Sequence, residues 1–220
     1  MVLNSIDTIV AIATPAGVGG IGVVRLSGND IQKFILSILG EEIQPRVASY
    51  QKFIGSGGEC LDTGIALYFS APNSFTGEEI LELQGHGGNV VQDRLIQRCV
   101  ELGARIARPG EFSERAFLNG KLDLAEAEAV ADLVEAGSVQ AARSAVRSMC
   151  GDFSREIKNV VNSLKDIRVF VEASIDFPEE EIEFMADPII LQTLEDIENR
   201  LGDIINKARH DVLLRDGLTI

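Results

Sequence analysis

Glu82, Gln84 and His86 alternate with Leu81 and Leu83 inside the stretch PNSFTGEEILELQGHGG (72–88). Strand side chains alternate with period two, so all three polar groups fall on one face and the two leucines on the other. Three polar groups of different chemistry are thereby aimed the same way, toward a turn that only glycines make tight. That pattern belongs to a binding site. Its plain structural counterpart is an edge strand with a wet face followed by an ordinary turn.

Other motifs narrow the chemistry. Gly17-Val-Gly-Gly-Ile-Gly22 satisfies GxGxxG and follows a strand, but the dinucleotide fold needs a helix next and VVRLS, a β-branched strand, follows instead. A glycine loop between strands, admitting another backbone or a flat ligand, is the better reading. No GxxxxGK[ST] occurs, so the chain has no phosphate-binding loop for ATP or GTP, and no GxSxG makes GHGG a hydrolase oxyanion loop. His86 and His210 are the only histidines and lie far apart, so no metal site is expected. Cys60, Cys99 and Cys150 contain no CxxC pair and read as reduced, buried thiols. Arg25 alternates with Val24 and Leu26, by default a solvated strand cation. Lys121, in LNGKLDLAEAE, reads by default as a charge near a helix C-terminus.

The elements that must carry these residues fall into two textures. DTIVAIAT (7–14), IGVVRLS (21–27), VASYQKFI (47–54), GIALYFS (64–70) and EILELQG (79–85) read as strands, and GARIARPG as a further strand and turn. Asn29 is expected to cap a helix to about Leu39, with Ile31, Phe34, Ile35 and Ile38 inward. Asn89 is expected to cap a second, ending at Gly103, with Val90, Val91, Leu95, Ile96 and Val100 inward. Residues 1–121 thus predict an α+β domain, a mixed sheet with two or three helices. Residues 122–220 predict an all-α domain: LAEAEAVADLVEA as one helix, then a longer one from Ser138 to about Ile175, weakened at Gly151. Beyond Phe177-Pro178 and the acidic EEEIE, a second seam (Ile190, Leu194, Ile197, Leu201, Ile204, Ala208) should face Ile157, Val160, Leu164, Ile167 and Val171 in an antiparallel pair. That bundle is thin and incomplete, with apolar faces that need further helices.

The chain has 220 residues and net charge −14. Up to residue 120 there are nine Lys/Arg against thirteen Asp/Glu, and beyond it eleven against twenty-one. Tight binding to a nucleic acid backbone needs clustered cations, so weak or no nucleic acid binding is expected of this acidic chain alone. No apolar run of about 18 residues spans a membrane, and the N-terminus has no basic stretch of a signal peptide, which reads as cytoplasmic.

PNSFTGEEILELQGHGG, PGEFSERAFLNGKLDLAEAEAVADLVEA (109–136) and DTIVAIATPAGVGGIGVVRLSG (7–28) together resemble the tRNA-modification GTPase family MnmE, also called TrmE. The resemblance implies a tetrahydrofolate-binding N-terminal domain that also dimerises, followed by the first part of a helical domain. In the family a GTPase domain is inserted there, and a segment like LLRDGLTI leads into it. GTP, Mg2+ and K+ would belong to that missing domain, so no catalytic residue, no metal site and no GTP hydrolysis are expected in this chain by itself. The resemblance further implies a homodimer through the N-terminal domain, the flavoprotein partner MnmG with FAD and NADH, and modification of the wobble uridine of certain tRNAs. The family's folate contacts fall on Arg25, Glu82 and Lys121, with Gln84, His86 and Gly87 as supporting candidates for a 5-formyl or methylene tetrahydrofolate. A family lysine near the C-terminus has no counterpart here. The alternative is a non-catalytic assembly and dimerisation scaffold whose glycines serve packing.

Overall fold

The computed structural model describes residues 7–176 and 188–216, and the chain divides into two compact units, Met1–Leu122 and Asp123–Ile220. The first unit runs β1 (Ile9–Ile12), β2 (Gly19–Gly28), α1 (Gln32–Leu39), β3 (Ser49–Ile54), β4 (Cys60–Phe69), β5 (Glu79–Gly87), α2 (Asn89–Glu101), β6 (Arg105–Ile106) and α3 (Glu111–Leu118). The sheet order is β3-β4-β5-β2-β1-β6, antiparallel throughout except for the β1–β6 pair. This is the expected mixed sheet, and every stretch read as a strand lies in it.

One face of the sheet is the core. Val10, Val24, Leu26, Phe53, Leu81 and Leu83 are fully buried there, together with Ile31, Phe34, Ile35 and Ile38 of the α1 stripe. Fully burying a side chain of this size contributes about 1.5–3 kcal/mol. Because the leucines of β5 face inward, period-two alternation turns Glu82, Gln84 and His86 to the opposite face.

Three expectations here are corrected. Helix α1 begins at Gln32 with Ile31 at its N-cap, not at Asn29, and the Ile31 N–H donates to Glu79 Oε2 at 3.1 Å. Helix α2 does begin at Asn89, but its cap position is Gly88 and its C-cap Leu102. Its inward set is Gln92, Leu95 and Cys99, with Val91 and Ile96 partly packed, while Val90 is 73% and Val100 43% exposed. At about 100° per residue both valines point about 140° away from Leu95. Gln92 takes the inward place because Gly22 opposite it has no side chain: a Cβ there would sit 2.1 Å from Gln92 Nε2. Of the thiols, only Cys99 is buried; Cys60, at the start of β4, and Cys150, at the cap of the helix ending at Met149, are exposed, and all three are free.

The second unit holds α4 (Leu124–Glu135), α5 (Val139–Met149), α6 (Asp152–Asp176) and α7 (Pro188–Asp216). Asp123 and Glu126 form a reciprocal capping box for α4, and Ser138 caps α5 through the Ala141 N–H. The single helix expected from Ser138 is two helices, because Gly151 adopts φ +78° and breaks the run between them. Helices α6 and α7 pack through Val160, Ile197 and Ile204, with Ile157 and Ile167 against them. Leu164, Leu194 and Leu201 of the expected seams remain 37–45% exposed. The Phe177-Pro178 break and EEEIE lie outside the described residues. Among the described residues, no helix is long and apolar enough to cross a membrane.

Candidate functional site

The β2–β5 register places Arg25 directly opposite Glu82 on the face away from the core. Arg25 Nε and Nη2 both donate to Glu82 Oε1, at 2.9 and 2.7 Å. Gln84 Nε2 donates to the other oxygen, Oε2, at 3.1 Å. The Glu82 side chain is only 13% exposed and that of Arg25 31%. The Phe112 ring of α3 lies 5.9 Å from the guanidinium centre, within cation–π range. Cross-strand neighbours on the same face are apolar: Leu67 beside Glu82, and Val23 and Ile65 on either side of Gln84. A carboxylate offers about four lone pairs. Arg25 takes two on Oε1 and Gln84 takes one on Oε2, so one acceptor position stays open. Rotation of the Gln84 amide opens a second. The arrangement suits a flat ligand that presents N–H donors to Glu82 and lays an apolar body against Val23, Ile65 and Leu67.

The turn before β5 is fixed from beneath by buried charge. Arg115 of α3, 5% exposed, donates to both oxygens of Glu78 at 3.2 and 3.1 Å, to Glu111 Oε1 at 3.4 Å, and to the carbonyl and carboxylate of Asp7 at 3.0 and 2.9 Å. Glu78 Oε2 also accepts from Ser27 Oγ at 2.7 Å, and Ser27 pairs with Thr76 at 2.7 Å. This network ties α3, β2 and the turn 74–78 into one block, on which Phe112 and Arg25 stand. Glu111 further accepts from Arg105 Nη1 and Nη2 at 3.1 and 2.7 Å.

Those Arg105 bonds, offset in part by burial and aided by the Arg108 N–H and Arg115, hold the Glu111 carboxyl at about 2 against an ordinary 4.5. A depressed carboxyl stabilises the fold above its unfolded value and loses that contribution as pH falls through its folded value. Glu111 should therefore contribute fully above pH 4.5 and lose its contribution between pH 4.5 and about 2. Allowing for the exposed Arg105 partner, about 2 kcal/mol is at stake. In acid unfolding followed by circular dichroism, Glu111→Gln should flatten this limb; an unchanged limb would contradict it.

Lys121 follows α3, and its backbone N–H closes on the Ala116 carbonyl at 2.8 Å. Its ammonium donates to the Pro72 carbonyl at 3.1 Å, and its stem lies against Gly77. Asn119 Nδ2 donates to the Thr76 carbonyl at 2.8 Å. Lys121 thus belongs with the turn 72–77. Among the described contacts, none joins it to Arg25 or Glu82, which do meet each other.

His86 is placed by a residue that sequence reasoning missed. Asp62 of β4 accepts from the His86 backbone N–H at 2.7 Å and lies 2.7 Å from His86 Nδ1. Burial works against the Asp62 charge, but the two His86 bonds and the Thr63 N–H hold its carboxyl below the ordinary range. The tight turn expected after the strand is not at Gly85 to Gly87, which continue β5, and the His86 N–H is taken by Asp62. Gly87 instead lets β2 approach: a Cβ there would lie 2.6 Å from the carbonyl oxygens of both Gly19 and Ile21. Gly87→Ala should therefore lower stability by about 1–3 kcal/mol, read from the urea midpoint. An unchanged midpoint would show that the strands part without cost.

Phe112, Asp62, Arg115, Glu78 and Glu111 were all missed as site residues. The one available signal was Glu111 and Arg115 at i, i+4, a spacing that usually marks a surface pair.

Comparison with known proteins places this geometry in context. A family model described as the N-terminus of the GTP-binding protein TrmE matches residues 8–121, and one described as the MnmE helical domain matches residues 124–219. Proteins described as tRNA modification GTPase MnmE from Pseudomonas savastanoi pv. phaseolicola, Pseudomonas syringae pv. syringae and Pseudomonas aeruginosa are each 56% identical over 214 residues, 97% of this chain. The chain spans 47%, about half, of the length of these curated relatives.

Proposed function

The chain belongs to the MnmE (TrmE) family of tRNA modification GTPases, and on that premise we propose that residues 1–121 bind a tetrahydrofolate and dimerise, as part of a machine that modifies the wobble uridine of certain tRNAs. Glu82 carries this reading: a mostly buried carboxylate, oriented by Arg25 and Gln84, on a sheet face whose neighbours are apolar. A reduced pterin presents an amino group and an adjacent ring N–H as parallel donors, which a carboxylate accepts in pairs. Val23, Ile65 and Leu67 give its ring system an apolar bed, and Gln84, His86 and Gly87 lie along the same strand. Arg25 orients Glu82 and keeps spare donors, while Lys121 supplies a cation at the turn 72–77 for a ligand carboxylate. The folate bound is a 5-formyl or methylene derivative, and the methylene form would supply the one-carbon unit.

The rest of the activity belongs to the longer family members. GTP, Mg2+ and K+ would act in their GTPase domain, and this chain, without a GxxxxGK[ST] segment, should not hydrolyse GTP by itself. The partner is the flavoprotein MnmG with FAD and NADH, the substrate is tRNA, and the setting is cytoplasmic. Residues 122–220 form the first part of the helical domain.

Calorimetric titration of the 220-residue chain with 5-formyltetrahydrofolate tests the binding claim. Saturable heat approaching one ligand per chain is expected. No heat and no competition by a second folate would overturn it.

A further inference from the structure

His86 is the most exposed polar group on the β5 stripe, yet it is among the most firmly aimed. Its side chain is 70% exposed, whereas the Asp62 carboxylate that holds it is 9% exposed. Asp62 grips it twice, through the backbone N–H and through Nδ1, both at 2.7 Å. This grip needs the glycine before it: a Cβ on Gly85 would lie 2.3 Å from Asp62 Oδ2. With Nδ1 turned to a carboxylate, the ring orientation is set and Nε2 lies on the opposite edge. Neither Arg25, Glu82 nor Gln84 takes part in this pair, so folding of that cluster does not require it.

Spacing along the strand says what Nε2 could meet. His86 lies four residues beyond Glu82 on the same face, about 13 Å at about 3.3 Å per residue. Between them Gln84 is flanked by Val23 and Ile65. The stripe therefore has two polar ends, Arg25–Glu82 and His86, joined by an apolar-sided bed, while Asp62, opposite the buried Phe53, holds His86 from the core side of the sheet.

Resting on the folate reading above, we propose that His86, positioned by Asp62, forms the second pole of the site, where its Nε2–H binds a carboxylate at the far end of a ligand whose N–H edge lies on Glu82. With Nδ1 turned to Asp62, Nε2 is the ring nitrogen left to meet the ligand carboxylate. Asp62 acts as a positioning residue, and His86 touches the ligand. For a folate, the carboxylate is that of the glutamyl tail.

A double-mutant cycle tests this with two probes of equal length: 5-formyltetrahydrofolate and its glutamyl dimethyl ester. Calorimetry on the 220-residue chain should show the free acid binding wild type about tenfold more tightly than the ester, the usual effect of one hydrogen bond to a charged group. His86→Ala should remove that preference, so that acid and ester bind alike. His86→Gln, which keeps a neutral donor, should restore part of it and guards against misfolding of the alanine variant. Asp62→Asn should weaken the preference with His86 intact. Equal losses for acid and ester in His86→Ala, or a preference that survives it, would overturn the proposal while leaving folate binding standing. Failure of both probes to bind wild type would instead overturn the folate reading on which it rests.

Discussion

Arg115→Ala should lower the unfolding free energy of the N-terminal unit by about 3–5 kcal/mol, the usual cost of removing one partner from a buried charge cluster. The reason lies in what the substitution leaves behind. Glu78 and Glu111 have side chains 7% and 4% exposed, and both depend on the Arg115 guanidinium. Without it, Glu78 retains the Ser27 hydroxyl but no nearby cation to balance its charge in this network. A loss of this size is a large part of a typical domain stability of about 5–15 kcal/mol. Arg115→Lys should recover only part of it, since one ammonium cannot span Glu78, Glu111 and both Asp7 acceptors as the planar fork does. Arg168→Ala is the matching control: its pair with Glu172 is 71% and 61% exposed, and the expected effect is within about 1 kcal/mol. Urea unfolding followed at two wavelengths measures both. A small effect at Arg115 would show that the buried carboxylates are stabilised by something other than this guanidinium.

Glu82→Ala should weaken 5-formyltetrahydrofolate binding at least about 100-fold. Two hydrogen bonds to a charged carboxylate, each contributing about 1.5–3 kcal/mol, exceed that factor together. The fold should tolerate the change better than it tolerates loss of Arg115, because Arg25 is 31% exposed and can turn to water. Glu82→Gln keeps the shape but replaces one acceptor with a donor facing the pterin N–H groups, so it should bind nearly as poorly. Normal binding by both variants would remove Glu82 from the site. Loss of binding together with loss of the folded signal would mean that the effect is structural.

The scaffold was legible in the sequence because two periods carried it. Alternation in IGVVRLS and EILELQG placed Val24, Leu26, Leu81 and Leu83 inside and Arg25, Glu82 and Gln84 outside, as the sheet has them. The stripe from Ile31 to Ile38 gave α1 its buried face. Period alone misjudged α2, where a glycine on a neighbouring strand admits Gln92 and the valines on the far side stay exposed. It marked Gly151 only as a weak point in one helix, whereas its positive φ outweighs the helix-forming residues on both sides and divides the run in two. The supports of the site were illegible for a different reason. Asp62 meets His86 across 24 residues, Arg115 meets Glu78 across 37 and Asp7 across 108, and Arg25 meets Phe112 only because α3 folds back over the sheet. Such pairings follow from tertiary packing and leave no local pattern.

The central claim is that the carboxylate of Glu82 receives the pterin edge. A crystal structure of the chain with 5-formyltetrahydrofolate tests it most directly. The pterin amino group and ring N–H should lie about 2.7–3.2 Å from the Glu82 carboxylate, on the acceptor positions left open at Oε2, with the ring over Val23, Ile65 or Leu67. A folate bound elsewhere, or one whose pterin leaves Glu82 paired with Arg25 and Gln84 alone, would contradict the account.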